Sequence, residues 1–179
     1  MKALLYLFSL VFMLQCKPKS EKPFTQFPGK PEVPSTLKNT HAELLAQLHQ
    51  FTLIKDSSAK FSLKLQELML HHFKEEEDFI LPPLGLLPSL VSGQLPEKTK
   101  DIIKFSGNIR SQMDHLSAEH QLIKAYIEEL KKASTAANQP KVIEFEKEVS
   151  KHAVSEEEVY FPAAILVGEY LKLKTATKP

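Results

Sequence analysis

The sequence predicts an all-α protein, a four-helix bundle of up-down-up-down topology. Along four segments, apolar residues recur at steps of three and four, the rhythm of helices that bury one stripe against nearly antiparallel neighbours. Glycine is scarce, with 5 in 179 residues, and 42% of the chain is hydrophobic, enough for a sizeable core in one domain. A segment of about 80 residues, the length of a helix pair, occurs twice.

Residues 1–15 are of different material. Met1 and Lys2 precede an apolar run from Ala3 to Leu14, interrupted by Ser9, which has the length of a signal peptide and is too short to span a bilayer. The only cysteine, Cys16, ends that run and resembles the lipidated first residue of a bacterial lipoprotein, with Gln15 in place of the usual small residue. A lone cysteine leaves no intrachain disulfide. Residues 16–36 carry Pro18, Pro23, Pro28, Pro31 and Pro34 among Lys17, Lys19, Lys22 and Lys30, a composition that prevents helix and reads as a semi-extended tether. The expectation is a domain held to the lipid bilayer through Cys16, in the cell envelope, facing the extracytoplasmic side.

The bundle is expected over residues 37–173. Thr36 or Asn39 caps a first helix from about Leu37 to Lys55, with Leu37, His41, Leu44, Leu48 and Phe51 on its inner face. Asp56-Ser57-Ser58 turns into a second, with Phe61, Leu65, Leu68, His72, Glu76 and Phe79 inward, stopped by Pro82-Pro83. Leu84 to Pro96 reads as a loop over the end of the bundle. One third helix runs from near Glu97 through Ile102, Phe105, Ile109, Met113, Leu116, His120, Ile123 and Ile127 to Leu130. After the polar break Ala133 to Gln139, Pro140 starts the fourth, carrying Val142, Phe145, Val149, His152, Glu156 and Val159 inward. Pro162 ends it or opens a short segment from Ala163 to Leu173.

The repeat carries the chemistry. His72-Phe73-Lys74-Glu75-Glu76-Glu77-Asp78-Phe79-Ile80-Leu81-Pro82 returns as His152-Ala153-Val154-Ser155-Glu156-Glu157-Glu158-Val159-Tyr160-Phe161-Pro162. Four residues along a helix rotate by only about 40°, so each His and the Glu four places on share one face. Upstream, His41 and His120 stand 31 and 32 residues before His72 and His152, so the two halves are offset by 79 or 80 residues. All six positions fall on the apolar stripes. Burying a carboxylate in an apolar bundle costs several kcal/mol or forces protonation. With no Arg on these stripes, the set makes a poor salt-bridge core but a reasonable ligand set for two cations. Two His per metal with both Glu bridging gives four protein donors each; an oxo or hydroxo bridge makes five and leaves one position for a small ligand. A single inward His is commonly a hydrogen-bonded core residue, and a single His-x-x-x-Glu an ordinary surface pair; two matched copies argue for metal. His49, His71 and His115 are rotated off the stripes, as are Glu77 and Glu157, which read as solvated acids or as groups that orient a ligand imidazole. Tyr160 either nears the site or packs.

Other metal-site spacings are absent. Neither Glu67 nor Glu148 lies three residues before a His, as a ferritin-like carboxylate site requires, and there is no His-Glu-x-x-His. Zinc, manganese and other divalent metals remain compatible with imidazole and carboxylate donors.

Over residues 37–165 these motifs resemble the hemerythrin-like, or HHE cation-binding, family. The resemblance implies a non-haem di-iron centre, two iron ions with an oxo or hydroxo bridge, with His41, His72, His120 and His152 as terminal ligands and Glu76 and Glu156 as bridges. Oxygen-carrying hemerythrins use five His, with a His-x-x-x-His pair in the third helix and an Asp in the fourth; this sequence has Leu116 four before His120, and Glu156. The four-His, two-Glu pattern looks closer to iron-centre repair proteins and to iron- and oxygen-sensing hemerythrin-like domains. Repair proteins usually carry a Cys-bearing N-terminal region and work in the cytoplasm, whereas here a signal and tether stand in that place. The expected function is binding or sensing of a small ligand, O2, NO, peroxide or iron itself. The alternatives are a di-iron oxidoreductase acting on peroxide or NO, or a role of the iron-centre repair type, and, third, a structural helical lipoprotein without metal. No distinct acid, base or electron-transfer partner is evident, which places the enzyme second. A formal net charge of +1 gives no field for nucleic acid, and nothing names a protein partner.

Overall fold

A computed structural model describes residues 32–176; the signal stretch, Cys16 and most of the tether lie outside the described residues. The helices are α1 (Ser35–Thr52), α2 (Ala59–Phe79), α3 (Leu87–Val91), α4 (Thr99–Ile109), α5 (Met113–Ala133), α6 (Gln139–Ser155) and α7 (Phe161–Ala176). No strand occurs among the described residues, and none of their helices is long and apolar enough to cross a membrane. Four helices close a ring, α1 on α2, α2 on α5, α5 on α6 and α6 back on α1, while α7 packs along α4 outside it.

The helix starts differ slightly from expectation. α1 opens after Pro34, whose carbonyl accepts the Leu37 N–H at 3.0 Å, so Thr36 and Asn39 lie within the helix instead of capping it. It stops at Thr52, short of Lys55; the Thr52 hydroxyl donates to the His49 carbonyl at 2.8 Å. The Asp56 turn is as predicted, with Oδ1 accepting the Ser58 N–H at 2.8 Å.

Three expectations are corrected. The single third helix is two, α4 and α5, joined by a 3-10 turn at Arg110–Gln112. Its apolar stripe is continuous in sequence, but the two parts serve different neighbours: α4 lies on α7, and α5 joins the ring. The first half of the Leu84–Pro96 loop is structured, as a 3-10 turn at Pro82–Leu86 followed by α3, and it buries Leu84, Leu86 and Leu90. The short terminal segment is a full helix, α7, which buries Phe161, Ala164, Val167, Gly168 and Leu171.

A wide turn explains where the inward stripe slips. In both halves the residue five after the repeated Glu donates its N–H to that Glu's carbonyl, Leu81 to Glu76 at 2.8 Å and Phe161 to Glu156. The next residue is Pro82 or Pro162, which has no N–H and whose ring opposes the carbonyl four residues back; in the second half the helix widens to π spacing at Glu156–Tyr160, whereas in the first the Ile80 N–H also donates to the Glu76 carbonyl, at 3.0 Å, and the helix ends. The extra residue turns Val159 outward, to 55% exposure, against the inward expectation, and buries Phe161; likewise Phe79 is only half-buried while Ile80 and Leu81 are fully buried. After Pro82 the sequence Pro83-Leu84-Gly85 cannot continue an α-helix, whereas after Pro162 the Ala163-Ala164-Ile165 run does.

Where α7 crosses α4, Gly168 sits against Ser106, and a Cβ added at Gly168 would overlap the Ser106 side chain. Gly168→Ala is expected to destabilise the fold by about 1–3 kcal/mol through overpacking, read as a lower urea midpoint with an unchanged slope.

Candidate metal centre

The layer of interest divides two apolar clusters. On α1, His41 lies between Leu37 of one cluster and Leu44 of the other; on α5, His120 lies between Leu116 and Ile123; on α6, His152 follows Val149 and precedes Phe161. On α2, Met69 belongs to the first cluster, and Ile80 and Leu81, just past the helix, to the second. All four imidazoles and both Glu76 and Glu156 are buried, the carboxylates completely. The sequence reading of all six as inward is correct.

The structure brings them together as two overlapping groups. His41, Glu76, His152 and Glu156 present ligand atoms within 4.8 Å of one another, and so do His72, Glu76, His120 and Glu156. Both carboxylates therefore belong to both groups. Each imidazole turns Nε2 inward: His152 Nε2 to Glu156 Oε1 is 2.9 Å, His72 Nε2 to Glu76 Oε1 3.2 Å, His41 Nε2 to Glu156 Oε1 3.3 Å and His120 Nε2 to Glu156 Oε2 3.4 Å.

Two donors each about 2.1 Å from a common cation, at roughly 90–110°, stand about 3.0–3.4 Å apart, which is the spacing observed. The alternative, a self-sufficient hydrogen-bonded core, fails on alignment. His72 Nε2, His120 Nε2, His152 Nε2, both oxygens of Glu76 and Glu156 Oε2 are buried without a hydrogen-bond partner. Orphaned polar atoms of this kind cost roughly 1–3 kcal/mol each, so six of them in one layer call for a shared cation. The residues fit metal.

The outward nitrogens are held by acids. His41 Nδ1 pairs with Glu77 Oε1 at 2.8 Å, His120 Nδ1 with Glu157 Oε1 at 2.8 Å and His72 Nδ1 with Glu119 Oε2 at 2.7 Å. Such contacts fix the ring orientation and raise ligand basicity. Glu77 and Glu157 are thus orienting groups, not merely solvated acids. Glu119 was not foreseen, because its neighbour across the seam is on α2 and the periodicity of α5 alone gives no sign of it. Its counterpart before His41 is Thr40, and among the described residues no hydrogen bond reaches His152 Nδ1, so the two halves are not identical. Phe73 stacks on His41 at 4.1 Å.

With protein charges alone, the layer is strained electrostatically. Burial opposes charge on His72, yet the carboxylates of Glu119 and Glu76 outweigh it and raise its pKa to about 10. Burial and then the Glu156 charge push Glu76 above the usual carboxylate range, whereas on Glu156 burial is overcome by its imidazole contacts and the carboxyl is held well below it. Shallow grooves reach the layer beside its two least buried imidazoles. One, of about 300 Å³, runs between Thr40, Leu44, His152 and Tyr160; the other, of about 160 Å³, ends on His120 and Glu157. Tyr160 therefore lies beside the approach. His49, as expected, stays outside, bonded to Thr52 and Gln66.

A helical bundle that aims four imidazoles and two shared carboxylates into one buried layer has the donor set of a cation-binding protein. The model of the hemerythrin HHE cation-binding domain matches residues 33–164, and the chain belongs to that family. No curated protein and no solved structure matches it.

Proposed function

We propose that this domain holds two iron ions in the His/Glu layer and uses them to bind or sense a small ligand, O2, NO, peroxide or iron itself, outside the cytoplasm. His41 and His152 would hold one ion, His72 and His120 the other, with Glu76 and Glu156 shared. The observation that carries this reading is the overlap of the two donor groups at both carboxylates, since one ion cannot use all six side chains at these spacings. When bound, the ions would supply small-ligand binding and one-electron chemistry. The chain's own residues orient the imidazoles and exclude bulk water, and at the grooves beside His120 and His152 they admit only small molecules. Within the same reading, the ring helices form an up-down-up-down bundle, supported by the short links at residues 53–58 and 134–138 between ring neighbours. The lipid anchor at Cys16 and the extracytoplasmic location rest on the N-terminal sequence.

The test is metal analysis with an optical spectrum on protein purified in air. About two irons per chain with near-ultraviolet bands are expected. His72→Ala and His152→Ala should each reduce metal content strongly and His49→Ala should not; full occupancy in all three variants would sink the assignment.

A further inference from the structure

Outside the buried layer, a second pair of His-x-x-x-Glu motifs faces itself across the α2–α5 seam. His71 and Glu75 lie one turn apart on α2, and His115 and Glu119 one turn apart on α5. His71 Nε2 stands 3.6 Å from Glu75 Oε1 and His71 Nδ1 3.7 Å from Glu119 Oε1. His115 Nε2 is 3.1 Å from Glu75 Oε2 and 3.7 Å from Glu119 Oε1. His71, Glu75 and Glu119 each place a ligand atom within 4.8 Å of the other two.

We propose that His71, Glu75, His115 and Glu119 form an outer site for a first-row divalent cation, separate from the buried layer and coupled to it through Glu119. Two imidazoles and two carboxylates are a donor set suited to Zn2+, Fe2+ or Co2+ and poorly suited to Ca2+ or Mg2+, which take oxygen ligands. The two carboxylates are mostly buried, at 16% and 12% side-chain exposure, and among the described residues their ion-pair partners are imidazoles, with no Lys or Arg to neutralise them. An ordinary surface pair of this spacing contributes only about 0.2–0.5 kcal/mol, too little to draw four side chains from two helices into one cluster. His71 is 63% exposed, so the site opens to solvent and its ion exchanges freely.

Glu119 joins the two places. Its Oε2 bonds His72 Nδ1 at 2.7 Å while its Oε1 faces His71 and His115. A cation on Oε1 draws electron density from the carboxylate and loosens its hold on His72, so outer occupancy alters the environment of an inner imidazole.

The experiment titrates Zn2+ into the full chain, with tightly held metal left in place and quantified separately. One further equivalent is expected. It should weaken at least roughly tenfold in His71→Ala, the least that even outer-shell changes around a metal cost, and vanish in the double variant His71→Ala/His115→Ala, with tightly held metal and helical circular dichroism unchanged in both. Absence of the further equivalent in the unmodified chain, or its survival in the double variant, overturns the proposal. Absence of tightly held metal alone would instead count against the buried centre, and the outer site would still be judged by the double variant.

Discussion

Glu156→Ala should empty both metal positions at once. Glu156 Oε1 lies 2.9 Å from His152 Nε2 and 3.3 Å from His41 Nε2, and its Oε2 lies 3.4 Å from His120 Nε2, so one side chain reaches into both donor groups. A change in the outer shell of a metal site typically costs about 10–100-fold in affinity, and loss of a shared ligand should exceed the upper figure, more than roughly 100-fold at each position. The alanine also removes the charge that holds three buried imidazoles in register, so circular dichroism must accompany the metal assay. Glu77→Ala provides the contrast. It leaves every inward donor in place, removes only the 2.8 Å contact to His41 Nδ1, and should lower affinity within that 10–100-fold range at one position. Retention of both ions in Glu156→Ala, with the helical signal intact, would rule out a bridging role for this residue.

The contrast between these variants follows the line between what the sequence showed and what it hid. All six inward groups were legible because each sits on an apolar stripe and each has a partner in the other half. Periodicity and repetition are properties of a single strand of text. Glu77 and Glu157 were visible as acids but not as partners, since the residue after an inward Glu points about 100° away from it and its role depends on which helix lies there. Glu119 was hidden for the same reason, one step further: its contact is with α2, and no copy in the other half drew attention to it. The fold divides similarly. The starts of α1, α2 and α6 and the end of α5 were placed within a few residues. The break at Arg110–Gln112 and the length of α7 were not, because both depend on the packing of α4 against α7.

The two prolines show the opposite case, a sequence signal whose meaning needed the structure. Pro82 and Pro162 look like helix stops, yet their shared effect is on the turn that begins at the repeated Glu. The end of α2 places Ile80 and Leu81, and the widened turn after Glu156 places Phe161, in the same apolar cluster beside the layer. The buried environment and the shared carboxylates are thus produced by the same eleven-residue repeat. A local rule broken at the site, α spacing in this instance, is compensated by the burial it permits.

Removing metal from the loaded protein should lower its melting temperature by about 8–16 °C. A ligand at roughly 1,000 times its Kd stabilises the folded state by about 4.1 kcal/mol, and in a chain of this length each kcal/mol moves the midpoint by about 2–4 °C. The size of the loss follows from what remains. Without a cation, the buried nitrogens of His72, His120 and His152 and both oxygens of Glu76 face one another unbonded, and the layer can lower its energy only by taking up protons. The raised pKa of His72, about 10, means that the imidazole keeps its proton through neutral pH, so loading must expel it. Metal affinity should therefore rise with pH across the neutral range. Calorimetric loading in two buffers of different ionisation enthalpy should also register proton release. A chelated protein that melts at the same temperature as the loaded one, with no proton release on reloading, would mean that the imidazoles and carboxylates satisfy one another, and the layer would then be a structural core.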